Sequence, residues 1–75
     1  MKRVAIRTSE IRLAQFLKWS GLAGTGGQAR DLVCRGLVQV NERQEVHPGR
    51  CLVPGDRVEV GAAEPVVLVP ADGEA

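Results

Sequence analysis

The sequence is poor in the residues on which most enzyme and metal sites are built. It has one histidine, His47, and two cysteines, Cys34 and Cys51, which do not form a Cys-x-x-Cys pair. A tetrahedral zinc site would lack ligands, and two cysteines are too few for a disulfide scaffold, which favours reduced thiols inside a cell. No nucleophile beside a base and no carboxylate pair is recognisable either. We therefore expect no enzymatic activity, no catalytic residue, no metal site and no cofactor.

Long apolar runs are also absent. No stretch approaches the ~20 residues that span a bilayer, and the first residues lack the ~7–15-residue apolar core of a signal peptide. We therefore expect a cytoplasmic protein with no membrane partner. A chain of 75 residues, of which 44% are hydrophobic, suffices for one small domain whose core supplies only roughly 3–5 kcal/mol of net stability. We expect this domain to be a monomer.

A strong net charge is the third absence, but the total of +1 conceals two unlike segments. Residues 1–60 hold ten basic and six acidic residues, whereas residues 61–75 hold three acidic residues and no basic one. Eight of the ten basic residues are arginine, whose planar guanidinium suits contacts with phosphates and stacking. The division predicts a basic domain over residues 1–60, followed by an acidic C-terminal extension over residues 61–75.

Two helices are predicted in the first half of the chain. The first runs from Ile11 to Ser20 with Ser9 as its N-cap and Glu10 in its first turn, and the second runs from about Gln28 to Arg35 with Gly36 after its end. Apolar residues recur at helical spacing, namely Leu13, Phe16 and Leu17 in the first helix and Ala29, Leu32 and Val33 in the second.

Strands are predicted before and after the helices, where apolar and polar residues alternate. They cover residues 37–40, 44–47 and 57–60, and residues 2–8 form a short strand or an extended arm. A short extended piece is predicted at 50–53 and turns at 41–43 and 54–56. Residues 65–69 add an edge strand or pack loosely, and the last residues fray. The order predicts an α+β domain in which two N-terminal helices are followed by a small antiparallel sheet.

The first helix presents a polar face that includes the only tryptophan. At about 100° per residue, Arg12, Gln15 and Trp19 lie away from the apolar stripe, and Lys18 also points outward. An exposed tryptophan among cations is a platform on which an unpaired base stacks while the cations neutralise phosphates. In the alternative interpretation, Trp19 folds back on the loop at 21–24 and covers a small core.

Four segments of the chain, taken in order, resemble one known family. They are Arg12 to Leu17, Gly26 to Arg30, Gly36 to Asn41 and Pro54 to Val60. Together they resemble the RNA-binding domain first named for ribosomal protein S-four, also called the alpha-L RNA-binding motif, over residues 9–60. The stretch Phe16 to Ser20 is similar to that of the small stand-alone bacterial members.

The resemblance implies two helices packed on a small, bent antiparallel sheet and a non-catalytic module that binds structured RNA, ribosomal or transfer RNA, on its helical face. It also implies association with the ribosomal particle. The RNA-facing residues that it implies are Arg12, Lys18, Trp19, Gln28, Arg30, Arg35, Asn41, Arg43 and Arg50. Two positions depart from the family: Ala14 replaces an aspartate of many relatives, and Gly26-Gly27 replaces a serine-arginine pair.

Two alternatives from other classes stay open at this point. Ubiquitin-like sulfur carriers are also short and have a similar turn before a valine-rich strand, but they act through a C-terminal Gly-Gly, whereas this sequence ends in Gly73-Glu74-Ala75. The second alternative keeps the fold and assigns it to protein docking on a ribosome-bound factor.

Overall fold

Nine short helices and strands follow one another in residues 2–71, the part of the chain that the computed structural model describes. In chain order they are β1 (Lys2–Ile6), β2 (Ile11–Arg12), α1 (Leu13–Trp19), α2 (Gly26–Cys34), β3 (Val38–Val40), β4 (Arg43–Gln44), β5 (Cys51–Leu52), β6 (Arg57–Val60) and β7 (Val66–Pro70). The predicted α+β class is confirmed. The predicted fraying of the last residues lies outside the described range.

Five strands form the main sheet in the order β1-β7-β6-β3-β4, and β2 pairs with β5 in a separate two-stranded sheet. β1 runs parallel to β7, with Lys2 opposite Val66 and Ile6 opposite Pro70. The other pairs in the main sheet are antiparallel. The main sheet is therefore mixed, which corrects the prediction of an antiparallel one. No local pattern reveals this, because the parallel pair joins the two ends of the domain.

β7 is an interior strand, which corrects the prediction of an edge strand or loose packing at residues 65–69. It lies between β1 and β6, and its side chains Val66 and Leu68 are buried. The alternate residues Val67 and Val69 are half-buried on the other face. An unbroken apolar run is typical of a strand that is at least partly covered on both faces. The acidic segment after residue 60 thus contributes a strand to the sheet.

α1 begins later than predicted, because the chain is still extended at Ile11 and Arg12. These two residues pair with Leu52 and Cys51 of β5. Arg12 takes the N-cap position with extended backbone and makes no side-chain capping bond, so the predicted N-cap at Ser9 is wrong. The first turn also contains no acidic residue.

The start of α1 is capped by the backbone of a distant loop. Leu13 N donates to the carbonyl of Arg50 at 2.8 Å, and Ala14 N donates to the carbonyl of Pro48 at 3.0 Å. The first N–H groups of a helix have no partner inside it, so these carbonyls do the work of a capping side chain. The helix is thereby tied to the segment before β5.

α2 begins two residues before its predicted start and ends near the predicted position. Thr25 is its N-cap, and the hydroxyl of Thr25 accepts from Gln28 N at 3.0 Å. At the other end Gly36 has a φ of +77°, and its N–H donates to Val33 O at 3.0 Å. The predicted role of Gly36 in ending this helix is confirmed.

One hydrophobic core joins the helices to one face of the main sheet. Its buried side chains are Ile6, Leu13, Phe16, Leu17, Ala23, Ala29, Val33, Val38, Val40, Leu52, Val58, Val66 and Leu68. The predicted helix positions are all buried except Leu32, which is partly exposed. No described residue is a buried polar or charged one. Neither helix within residues 2–71 has the length and apolar character needed to cross a membrane.

Gly27 and Gly36 offer a matched pair of stability tests. A Cβ at Gly27 would meet no atom within 4 Å, and Gly27 lies in the first turn of α2. We expect Gly27→Ala to raise the free energy of unfolding by about 0.4–1 kcal/mol, because alanine has fewer accessible conformations than glycine in the unfolded chain. The measurement is urea unfolding followed by far-UV circular dichroism.

Gly36→Ala is expected to act in the opposite direction. A Cβ at this positive φ is strained and would also collide with the side-chain amide of Gln44. The expected loss of unfolding free energy is at least about 1–2 kcal/mol. Equal effects of the two substitutions would contradict this account of the helix.

Candidate nucleic-acid interface

Basic side chains in residues 2–71 divide into unpaired and ion-paired groups. The unpaired ones are Lys2, Arg3, Arg7, Arg12, Lys18, Arg30 and Arg43, and the paired ones are Arg35, Arg50 and Arg57. An unpaired surface cation presents its full field to an anionic partner, whereas a carboxylate at contact distance cancels part of that field. The unpaired group therefore dominates the attraction for anions.

The pair between Arg35 and Asp31 lies on the surface of α2. Arg35 Nε is 3.0 Å from Asp31 Oδ2, one helical turn away, and the two side chains are 69% and 56% exposed. Such a pair is worth only a few tenths of a kcal/mol (roughly 0.2–0.5). Arg57 makes a second pair with Glu42, which joins β6 to the turn between β3 and β4.

Arg50 makes the third pair, in the loop before β5. Arg50 Nη1 donates to Glu45 Oε1 at 2.8 Å, and His47 N donates to Glu45 Oε2 at 3.1 Å. The hydrogen bond from Arg50 lowers the pKa of Glu45 from 4.5 to about 2, and the bonds from His47 act in the same direction. The Glu45 side chain is 12% exposed. Glu45 thus holds both ends of the loop 45–50.

Arg12 lies beside the same loop. Carbonyls of Pro48 and Arg50 cap the start of α1, and Arg12 Nη1 lies 3.6 Å from the position that a Cβ on Gly49 would take. Arg12 therefore lies against the loop to which Arg50 itself belongs. The structure brings these two predicted site residues together, although they are far apart in the sequence.

Trp19, at the end of α1, is exposed and held at one end. The residue is 56% exposed, and its Nε1 donates to the carbonyl of Ala5 in β1 at 2.9 Å. Lys2 N and Ile6 O bond on the side of β7, so the carbonyl of Ala5 lies on the opposite, open edge of β1. The indole N–H therefore points to β1. This contact differs from the alternative interpretation, in which Trp19 folds back on the loop at 21–24.

A hollow of about 540 Å³ lies against Trp19. It is lined by Thr8, Glu10, Ile11, Gln15, Lys18 and Trp19. A smaller hollow of about 170 Å³ adjoins it and is lined by Ile6, Arg7, Thr8, Ile11 and Trp19. Each of the two hollows against Trp19 thus has one cation in its lining, Lys18 in the larger hollow and Arg7 in the smaller one.

The comparison with protein families decides the identity of this fold. A family model for the S4 domain matches residues 4–68. The chain belongs to the S4 domain family. The resemblance seen in the sequence is confirmed, and the match extends through most of β7. No curated protein matches the chain significantly. S4 domains are generally RNA-binding, non-catalytic modules, which supports an RNA-binding role.

Asn41 of this S4 domain is engaged in holding the fold. Asn41 Nδ2 donates to Asp56 Oδ1 at 3.1 Å, and Asn41 Oδ1 accepts from Arg57 N at 2.9 Å. Asn41 and Glu42 have φ values of 52° and 71°, which makes them the two-residue turn between β3 and β4. The predicted turn is confirmed, and the Asn41 amide fastens it to β6.

Gln28 also has a structural task in the S4 domain. Its Oε1 accepts from Gly24 N at 2.8 Å, while its own N–H donates to Thr25. The side chain thus completes the cap of α2 in the manner of a capping box. This explains a glutamine at this position without reference to a ligand.

The nine predicted site residues are therefore unequal. Arg12, Lys18, Arg30 and Arg43 are unpaired, Trp19 is exposed, Arg35 and Arg50 are ion-paired, and Gln28 and Asn41 are used by the fold. Their contacts with RNA stay predictions. Arg7 was missed, because its place beside Trp19 follows from the packing of β1 next to α1, which no local pattern marks. No cluster of His, Cys, Asp and Glu that could hold a metal occurs in residues 2–71.

Acid unfolding tests the role of Glu45. Its folded pKa of about 2 lies below the ordinary 4.5, so its ionised form adds stability above about pH 4.5, and this contribution is lost as the pH falls towards 2. We expect Glu45→Gln to lower the free energy of unfolding by about 1 kcal/mol at pH 7 and to flatten its fall between these pH values. Urea unfolding at several pH values provides the measurement.

Glu59→Gln is the control, since it removes the same charge from a carboxylate that has no ion pair among the described residues. The two variants should differ most at pH 7 and converge near pH 2. Identical stability profiles for the two variants would contradict a structural role for the loop network.

Proposed function

We propose that this S4 domain binds structured RNA of the ribosomal or transfer class in a bacterial cytoplasm, as a monomer and without catalysis. In this proposal it recognises the shape and phosphate geometry of folded RNA, on the ribosomal particle. The observation that most supports this proposal is that the S4 domain has a set of unpaired surface cations. Arg12 at the start of α1, Lys18 on α1, Arg30 on α2 and Arg43 on β4 belong to this set.

Cations of this kind support binding to phosphates because each contact releases counterions from the RNA. The logarithm of the association constant then falls linearly with the logarithm of the salt concentration, by roughly 0.7–0.9 per neutralised phosphate. Arginine adds paired donors that match phosphate oxygens. Phosphate contacts position the protein, and sequence preference would come from the few side chains that reach bases.

The acidic residues on the same surface limit this attraction. Asp31 and Glu45 neutralise part of the field of Arg35 and Arg50, so we propose that these two arginines contribute less than the unpaired ones. Breaking the exposed ion pair between Arg35 and Asp31 costs little free energy, so Arg35 remains available to contact a phosphate. We further propose that the three acidic residues after position 60 reduce non-specific binding.

Arg30 and Arg35 provide the test, because they lie on one helix and differ in pairing. We expect Arg30→Gln to weaken binding and to reduce the salt slope by about one, and Arg35→Gln to do so less. The measurement is fluorescence anisotropy of labelled ribosomal and transfer RNA fragments between roughly 50 and 200 mM salt. Wild-type affinity that does not change with salt would refute the proposal.

Co-sedimentation separates RNA binding from protein docking. We expect the domain to sediment with isolated ribosomal RNA as well as with intact ribosomal particles. Sedimentation with intact particles alone, together with the loss of the salt-dependent titration, would favour the docking alternative.

A further inference from the structure

We propose that the hollow beside Trp19 holds one unpaired nucleotide of the bound RNA, with its base on the Trp19 ring and its phosphates near Arg7 and Lys18. The proposal rests on the RNA-binding function and adds a specific subsite to it. It explains three observations together: an exposed tryptophan whose indole N–H is bound, two adjoining open hollows against it, and an unpaired cation in the lining of each hollow.

The ring of Trp19 is fixed without being covered. Trp19 is the last residue of α1, which fixes its backbone, and its Nε1 donates a hydrogen bond to the carbonyl of Ala5. Trp19 as a whole nevertheless stays 56% exposed. A ring that is already oriented loses little conformational entropy when a ligand stacks on it, so this arrangement favours binding.

The two hollows suit a flat ring that carries a charged substituent. Their volumes are about 540 and 170 Å³, and Thr8, Ile11 and Trp19 line both. Both hollows are open to solvent and do not enclose a ligand, so they suit one base that stacks on the surface and not a wholly buried small molecule. Ile11 is a second apolar wall beside the indole, so the two side chains together provide an apolar surface for a base.

The charges that line the two hollows sum to one positive charge, from Arg7, Lys18 and the carboxylate of Glu10, which favours an anion. Arg7 and Lys18 have no ion-pair partner among the described residues, and each lines one of the two hollows. A nucleotide combines an aromatic base with phosphates on either side along the chain, which matches an exposed tryptophan with one cation in each adjoining hollow. Bases inside a duplex are stacked on each other, so only an unpaired nucleotide can reach the indole.

Glu10 and Gln15 give the larger hollow a preference among bases. A carboxylate accepts hydrogen bonds from the exocyclic amino groups of cytosine, adenine and guanine, whereas uracil donates only through its N3–H. The two-ring base of adenine also offers a larger stacking surface than uracil does. The Thr8 hydroxyl donates to the carbonyl of Glu10 at 2.5 Å, so its hydrogen is already used within the protein. We therefore expect an unpaired adenosine to bind better than an unpaired uridine.

The test compares two RNA hairpins that differ by a single bulged adenosine. We expect the bulged hairpin to bind about 5- to 150-fold more tightly than the fully paired one, which is the usual contribution of one base stacked on an aromatic ring. Because the chain contains one tryptophan, its fluorescence reports directly on Trp19. The bulged hairpin should quench this fluorescence, and the fully paired hairpin should leave it nearly unchanged.

Substitutions then assign the effect to the hollow. Trp19→Leu should bring the affinity ratio of the two hairpins close to one, whereas Trp19→Phe, which keeps a ring, should retain part of the ratio. Far-UV circular dichroism and thermal unfolding of both variants establish that they fold. Arg7→Gln should lower the ratio, while Arg3→Gln removes the same charge from β1 outside the hollow and should keep the ratio.

The outcomes separate this inference from the function on which it rests. Failure to bind either hairpin would refute the RNA-binding function itself. Equal affinity for both hairpins without quenching would overturn the nucleotide subsite and leave the RNA-binding function standing. An affinity ratio of the two hairpins that stays unchanged in folded Trp19→Leu would also overturn the subsite. Quenching of the Trp19 fluorescence by an apolar peptide, but by neither hairpin, would overturn it too.

Discussion

The backbone bonds from Leu13 N and Ala14 N to the loop carbonyls of Arg50 and Pro48 are the link on which the arrangement of the helices depends. A helix of seven residues is too short to be stable alone, and α1 has no capping side chain. The loop therefore supplies what the local sequence lacks. The ion pair between Glu45 and Arg50 fixes the loop in turn, so a surface network far along the chain determines where α1 starts and how its outer face is presented.

This dependence changes how the charges of the domain should be counted. The net charge of +1 says little, because the acidic residues are not spread evenly over the basic ones. Some of them, such as Glu45 and Asp31, lie at contact distance from arginines and hold local structure. By contrast, Arg12, Lys18 and Arg30 have no ion pair with an acidic side chain among the described residues. Attraction for a polyanion then comes from particular positions on the surface and not from an overall excess of positive charge.

The parts of the fold that the sequence predicts are those governed by local physics. The spacing of Leu13, Phe16 and Leu17 places the buried face of α1, and Gly36 marks the end of α2. The errors at Ser9 and at residues 65–69 have a different origin, because the pairing of β2 with β5 and of β1 with β7 joins segments that are distant in the chain. Periodicity describes which face of an element is apolar, and it contains no information on which strand lies next to which.

The candidate site divides along the same line. Outward positions on a helix follow from geometry, so the exposure of Trp19 and Lys18 could be predicted. The resemblance to the family cannot tell a ligand contact from a structural one, and Asn41 and Gln28 prove to be engaged in a turn and a cap. The position of Arg7 beside Trp19 could not be predicted, since it depends on how β1 lies beside α1.

The position of Trp19 is the point at which stability and function can be separated. The hydrogen bond to Ala5 satisfies a carbonyl on the open edge of β1, and protection of an edge strand is a structural reason to have a donor there. That reason accounts for the N–H group alone. Many polar side chains could provide one donor without exposing a large apolar ring to water. What the edge does not explain is the exposure of Trp19 next to hollows lined by Arg7 and Lys18, and a stacked, negatively charged ligand accounts for that exposure and for both cations at once.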